Sequence, residues 1–253
     1  MSAIRSKVLL LSWAVSAQAS VQSELACSMG YREDAIVQRY ESSGIKNRID
    51  FDSIRSVAFE VNSLISFNHN LYLRAMGMLA EAPGHLKKQQ HAADVETLAA
   101  KGGKAHVMGW LGAAGWQFDF NHGRYSWCLE TGWLYNSIKY SYETKHRLKF
   151  YAPFVGTLLH FPLNHRWYLE CDFDYIFTSS RYERVEGVDF NDGTFQGPRA
   201  GLAIGVCFNK HLSCAIDWKT FYFFTNHKSY GSIDHERTRW QMQQFTAQFS
   251  YRF

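Results

Sequence analysis

Proline is scarce in this chain, with 4 in 253 residues, and no run of about 18 apolar residues occurs anywhere. The missing run excludes a helical membrane protein. A hydrophobic share of 46% excludes the disordered and collagen-like compositions. An excess of one charge is missing too. There are 27 Lys and Arg against 23 Asp and Glu, a formal +4, which gives no footprint for nucleic acid. None of the five cysteines (Cys27, Cys128, Cys171, Cys207, Cys214) forms a C-x-x-C pair, so neither a zinc site nor a redox motif is expected. What the chain has in quantity is aromatic side chains, 16% of residues, yet mean hydropathy is only −0.29. Many rings dispersed at that hydropathy suit strands that alternate faces.

Residues 1–19 read as a secretory signal peptide. Arg5 and Lys7 supply the positive start, Val8 to Val15 the short apolar stretch, and Ala17-Gln18-Ala19 the small-residue cleavage site. Their removal takes away two cations, from +4 to +2, and leaves residues 20–253 as one exported domain nearly neutral in charge. Five cysteines are an odd number, so at least one thiol of the exported chain is free or paired between chains.

The mature chain reads as all-β. From Trp167 to Phe177, Trp167, Leu169, Cys171, Phe173, Tyr175 and Phe177 alternate with Tyr168, Glu170, Asp172 and Asp174. A strict period of two puts one set on each face of a strand. The same alternation runs through Tyr125–Tyr135, Leu212–Phe224, Pro198–Phe208 and Val57–Phe67. Ten strands are expected, at 33–42, 48–67, 71–82, 104–120, 125–142, 148–161, 167–178, 198–208, 212–224 and 238–253. Four connections are short and turn-like, at Asn68–Asn70, Asn121–Arg124, Pro162–Arg166 and Asn209–His211. Three others, 83–103, 179–197 and 225–237, are long and polar. Short turns at one end and long loops at the other describe a transmembrane antiparallel up-and-down β-barrel, with the short turns periplasmic.

The rings support that reading. Phe67, Phe118, Phe120, Tyr125, Trp127, Phe161, Trp167, Phe208 and Phe253 lie beside a short turn or the C-terminus; Trp133, Tyr135, Tyr175, Phe177, Tyr222 and Phe224 lie further along their strands. Two girdles on the apolar face are what a membrane barrel needs. The last strand alternates Phe245, Ala247, Phe249, Tyr251 and Phe253 with polar residues. It resembles the terminal strand that the outer-membrane assembly machinery reads, which makes that machinery an expected partner. The opposite face carries Glu60, Arg74, Glu130, Glu170, Asp172, Asp174, Arg199, Asp217 and Lys219, so a lumen filled by paired charges is expected, with no metal site.

The order of strands and loops resembles the omptins, ten-stranded outer-membrane proteases. The resemblance rests on Ser43-Gly44 through Phe59 to Leu79 with its turn at Asn68–Asn70, on the segment Tyr135-Asn136-Ser137-Ile138-Lys139-Tyr140-Ser141-Tyr142, and on Pro153-Phe154-Val155-Gly156. It implies a catalytic pair of acids in the second outer loop, where Asp94 and Glu96 stand, and an Asp-x-His pair in the fourth, where Glu183-Arg184-Val185 stands. No histidine lies between His165 and His211, so the imidazole that would activate water is absent from that loop. His85, His91, His227 and His235 are the candidates to replace it. The resemblance also implies a lipopolysaccharide site at the outer rim. Tyr135 and Lys139 match it by position, Arg147 and Lys149 share their face parity on the next strand, and Ser137 stands where the omptins have an acid.

The expectation is therefore a barrel in the bacterial outer membrane, without cofactor, that contacts membrane lipid and lipopolysaccharide and offers loops 83–103, 179–197 and 225–237 to a host or surface protein. An omptin-like protease with a rearranged site, and a narrow porin-like channel, are the alternatives.

Overall fold

The chain forms a closed antiparallel barrel. The structure, a computed structural model, describes residues 21–253 apart from 43–44, 68–69, 83–85, 93–94, 102–103, 121–124, 142–144, 178–179, 186–187, 191–194, 226–227 and 231–232. The signal-peptide reading of residues 1–19 lies outside the described residues. Ten strands close the wall: β1 (Gln22–Ser42), β2 (Ile45–Ser66), β3 (Leu71–Ala82), β6 (Lys104–Phe120), β7 (Tyr125–Ser141), β8 (Lys145–Pro162), β9 (Trp167–Ile176), β12 (Phe195–Cys207), β13 (Leu212–Thr225) and β15 (Ile233–Arg252). They pair in that order, and β15 pairs back onto β1 from Glu24↔Arg252 to Ser42↔Ile233. Five further strands stand at the end opposite the short turns: β4 (Leu86–Ala92), β5 (Val95–Lys101), β10 (Ser180–Val185), β11 (Val188–Phe190) and β14 (Lys228–Tyr230).

The wall departs from the sequence pattern in two places. The sequence pattern places the first strand at 33–42, whereas it runs from Gln22. The stretch 22–32 alternates Ser23, Leu25, Cys27, Met29 and Tyr31 outside with Glu24, Ala26, Ser28, Gly30 and Arg32 inside. Its small residues give little hydrophobic contrast. The three segments expected as loops also carry strands. β4 takes over from β3 on β2, with Val57↔Glu81 followed by Asp52↔Lys87. β10 takes over from β9 on β8, with Phe154↔Ile176 followed by Tyr151↔Ser180. β14 takes over from β13 on β15, with Arg239↔Phe224 followed by His235↔Lys228. The wall thus continues beyond each interruption. The one on β8 falls at Pro153, which has no N–H to donate; its carbonyl accepts from the Phe177 N–H at 2.9 Å.

A transmembrane strand needs about 9–11 residues, whereas β1, β2 and β15 have 21, 22 and 20. The surplus lies on the side of the extra strands, away from the short turns. The outer face is apolar over a belt that includes Phe59, Val61, Leu73, Leu129, Val155, Phe173, Ile204 and Phe249, all exposed outward. That is an unstable surface in water and the expected one in lipid. Rings bound the belt at both ends. Phe118 and Trp127 pack at 5.6 Å near the short turns. At the other end Trp133 stacks on Tyr151 at 4.8 Å, and Trp110 packs against Tyr151 at 5.5 Å and Tyr135 at 6.1 Å.

The interior differs from the expected polar lumen in its outer half. Near the short turns it is polar. Arg74 pairs with Glu130 at 3.1 Å, and Glu130 also accepts from the Tyr72 hydroxyl at 2.9 Å. Arg199 pairs with Asp174. Lys219 bridges Glu60 at 2.6 Å and Asp217 at 2.8 Å, and Gln244 Nε2 donates to Glu60 at 2.7 Å. Above this layer the lumen is filled by Phe150, Phe154, Phe221, Phe223, Trp240, Tyr140 and Phe51 with aliphatic residues from most strands, all buried. Ring centroids of Phe221 and Trp240 lie 5.2 Å apart. An ion pair enters this apolar half. Arg32 grips Asp34 with two bonds of 2.8 Å, Trp240 Nε1 donates to the same carboxylate at 2.8 Å, and the guanidinium covers the Phe221 ring at 5.5 Å. Phe221 and Phe223 have the same strand parity as Asp217 and Lys219, so one face of β13 changes from charged to aromatic midway.

Candidate functional site

The outward face of β6, β7 and β8 carries the cationic rim that the sequence places at Tyr135, Lys139, Arg147 and Lys149. Register assembles it. Across the wall one row reads Glu81 on β3, His106 on β6, Lys139 on β7 and Arg147 on β8, each directly opposite the next. One row inward are Met108, Ser137 and Lys149, and one further are Trp110, Tyr135 and Tyr151. Lys104 stands above His106 on the same face and is exposed. The four residues expected together therefore do share one patch.

The patch has two layers with different chemistry. Above, Lys139 is exposed, and Arg147 and Lys149 are half-buried on the lipid-facing side. Below, Trp110, Trp133, Tyr135 and Tyr151 form the stacked ring cluster described above. Directly opposed like charges such as Lys139 and Arg147 are unfavourable by themselves. They become favourable when an anion lies between them, and phosphate fits a guanidinium and an ammonium together. Ser137 is 3% exposed and packed under this layer. The acid in the row is instead Glu81, two strands away, whose Oε1 lies 3.2 Å from His106 Nδ1. Lys104, His106 and Trp110 are members of the patch that sequence reading missed. Each has the right face parity within β6, but only the pairing of β6 with β7 brings them alongside.

The residues set in catalytic positions are not assembled in the same way. Asp94 lies outside the described residues. Glu96 is on β5, where its backbone position faces His91 of β4 across the hairpin. Glu183 is on β10, opposite Leu148 of β8 and Phe190 of β11. β4 is attached to β2 and β10 to β8, and three wall strands separate β2 from β8. His235 is on β15 opposite Lys228; His85 and His227 lie outside the described residues.

The lumen offers a cavity of about 370 Å³ among Tyr72, Arg74, Cys128, Asp172, Asp217 and Lys219. It reaches the short-turn end, through Glu24 and Arg252, and ends below the aromatic core. All five cysteines are free thiols, with Cys128 buried toward this cavity and Cys27 exposed on the outer face. Among the described residues no group of three or more His, Cys, Asp and Glu side chains could hold a metal ion.

No family model and no curated protein matches the chain. Solved structures do. The outer membrane protease OmpT from Escherichia coli superposes with a TM-score of 0.66 at 11% identity, covering 92% of this chain and 97% of its own. The outer membrane protein OprG from Pseudomonas aeruginosa gives 0.41 at 8% identity, covering 91% and 96%. Ail, the attachment invasion locus protein of Yersinia pestis, gives 0.33 at 10% identity, covering 91% and 99%. The OmpT likeness establishes the architecture: this is an omptin-like, ten-stranded barrel of the outer-membrane type.

Proposed function

We propose that the protein is a non-enzymatic outer-membrane barrel that holds lipopolysaccharide at the β6–β8 rim and is closed to solutes. One observation carries the lipid reading. Lys139 and Arg147 are directly opposed on the outward face, with Lys149 a row below and a stacked ring cluster under them. Phosphates of an outer-leaflet lipid would meet the cations, and its sugars and upper acyl chains would lie on the rings. The apolar packing of the outer lumen supports closure, since an ion entering it would lose its water without polar replacements. The projecting strands β4, β5, β10, β11 and β14 offer a surface for a host or neighbouring protein, and the strand ending in Phe253 offers the assembly machinery its signal.

The lipid reading is tested by pull-down of refolded protein with lipopolysaccharide. Tyr135→Ala combined with Lys139→Ala should weaken capture, and Arg147→Ala should weaken it further; two cations near the surface correspond to about 2 kcal/mol. Unchanged capture by the triple variant would remove the site. Proteolysis is the second reading, favoured by the opposed positions of His91 and Glu96 on one hairpin. Refolded protein with lipopolysaccharide should leave peptides containing basic pairs intact. Cleavage that disappears in Glu96→Gln would make the protein a protease.

A further inference from the structure

The four short turns share a pattern that neither the barrel wall nor the outer rim uses. They read Phe67-Asn68-His69-Asn70, Phe120-Asn121-His122-Gly123-Arg124, Leu163-Asn164-His165-Arg166 and Phe208-Asn209-Lys210-His211. Each sets an asparagine after an apolar residue and follows it with His or Lys. The β8–β9 and β12–β13 turns, both described in full, separate the roles of these residues. Asn164 Oδ1 accepts from the backbone N–H of Arg166 at 2.8 Å and of Trp167 at 2.9 Å. Asn209 Oδ1 accepts from the N–H of His211 and of Leu212, both at 2.8 Å. The asparagine and the backbone therefore build the turn. The side chains of His165, Arg166 and Lys210 are exposed, and Arg166 and Lys210 have no ion pair among the described residues.

These two turns are neighbours, because β9 pairs with β12. The Cys207 N–H donates to the Arg166 carbonyl at 2.8 Å, and the Arg252 N–H donates to the His211 carbonyl at 2.7 Å. A cleft of about 390 Å³ lies between them, lined by His165, Arg166, Lys210, His211 and Arg252, with Glu24 the one acid of its lining. Glu24 is already engaged by Arg252 at 3.0 Å. The His211 ring stacks on Tyr251, and its Nδ1 lies 2.8 Å from the Arg252 carbonyl oxygen. Arg166 and Lys210 are left as uncommitted positive charges. Apolar side chains adjoin them in the chain, Leu163 and Trp167 on one side and Phe208 and Leu212 on the other, each exposed.

We propose that this cleft binds the phosphate of an anionic phospholipid in the periplasmic leaflet, with the acyl chains against the adjoining apolar side chains. The match is to both halves of the ligand, charge at the cleft and apolar surface at its lip. Free phosphate would use only the first half, and a periplasmic glycan has no acyl chains for the second.

The test is native mass spectrometry of the barrel released from detergent with equimolar phosphatidylglycerol and phosphatidylcholine of the same chains. It is done in a Lys139→Ser, Arg147→Ser, Lys149→Ser background, so that the outer rim contributes nothing and the outcome is independent of the lipopolysaccharide site. Phosphatidylglycerol adducts should exceed phosphatidylcholine adducts by about thirtyfold for two uncommitted cations. Arg166→Ser with Lys210→Ser should erase the preference, while Arg166→Lys with Lys210→Arg, which keeps both charges, should retain it. Gel mobility of unheated samples checks that each variant is a folded barrel. A preference that survives the double substitution overturns the proposal. So does loss of the adducts to inorganic phosphate at equal concentration, which would make the cleft a free-anion site. Capture of soluble peptidoglycan fragments that depends on Arg166 and Lys210, without lipid preference, would assign the cleft to the cell wall instead.

Discussion

Arg74 and Glu130 show how this chain keeps charges inside a barrel. Each is buried, their contact is 3.1 Å, and Tyr72 satisfies the second carboxylate oxygen. Removing one partner leaves the other desolvated and unpaired. Arg74→Ala should therefore destabilise the barrel by about 3–5 kcal/mol, read from denaturant unfolding in lipid vesicles. Arg74→Ala with Glu130→Ala should recover part of that loss; a double variant worse than the sum of the singles would mean that the pair is not the source of the stability. Gly156 and Gly201 make room for two other acids. A Cβ on Gly156 would fall on the Asp174 carboxylate, and one on Gly201 would fall on that of Asp172. Gly156→Ala should cost about 1–3 kcal/mol through that overlap, and a wild-type unfolding midpoint would show that Asp174 has other space to enter.

Strands were legible where one face meets lipid and the other does not. Trp167–Phe177 and Leu212–Phe224 alternate so strictly that faces follow from sequence alone. The first half of β1 escaped because Ala26, Ser28 and Gly30 line its inner face and contrast weakly with Cys27 on the outer one. β4 escaped because Leu86-Lys87-Lys88-Gln89-Gln90-His91 carries no apolar period. The rim site was half legible for a related reason. Spacing within β7 puts Tyr135 and Lys139 on one face, but which residue of β6 lies beside them depends on pairing, which sequence spacing does not specify. The aromatic half of the lumen was hidden by parity, since Phe221 and Phe223 occupy the face that Asp217 and Lys219 had marked as polar. Its packing can be tested directly. Phe221→Ala should cost about 3–5 kcal/mol, since the ring lies between Phe223, at 4.4 Å, and Trp240, at 5.2 Å. A loss below about 1 kcal/mol would place the ring in a loose, wet lumen rather than a packed one.

At the scale of the molecule, the polar cavity opens toward the short turns and the aromatic core seals the other end. Reconstituted in planar bilayers, the protein should show no stepwise conductance, and steady steps at low voltage would overturn the closed reading. The outer wall is uneven. β1, β2 and β15 rise well past the membrane, while β9 has only 10 residues and hands its place on β8 to β10. Because the projecting segments are hydrogen-bonded ladders, a partner that docks on them would lose less conformational entropy than one that must order loops.

The seam between β1 and β15 has a consequence in time. Glu24 and Arg252, which bridge its foot, are 228 residues apart. Until β15 exists, β1 and β13 are both open edges, each a row of unpaired amides and carbonyls beside exposed rings. No shorter portion of the wall closes on itself, so every intermediate up to the last strand is a template for aggregation. The wall therefore gains its closure in a single late event, the docking of β15 between β13 and β1, and its stability comes all at once and not strand by strand.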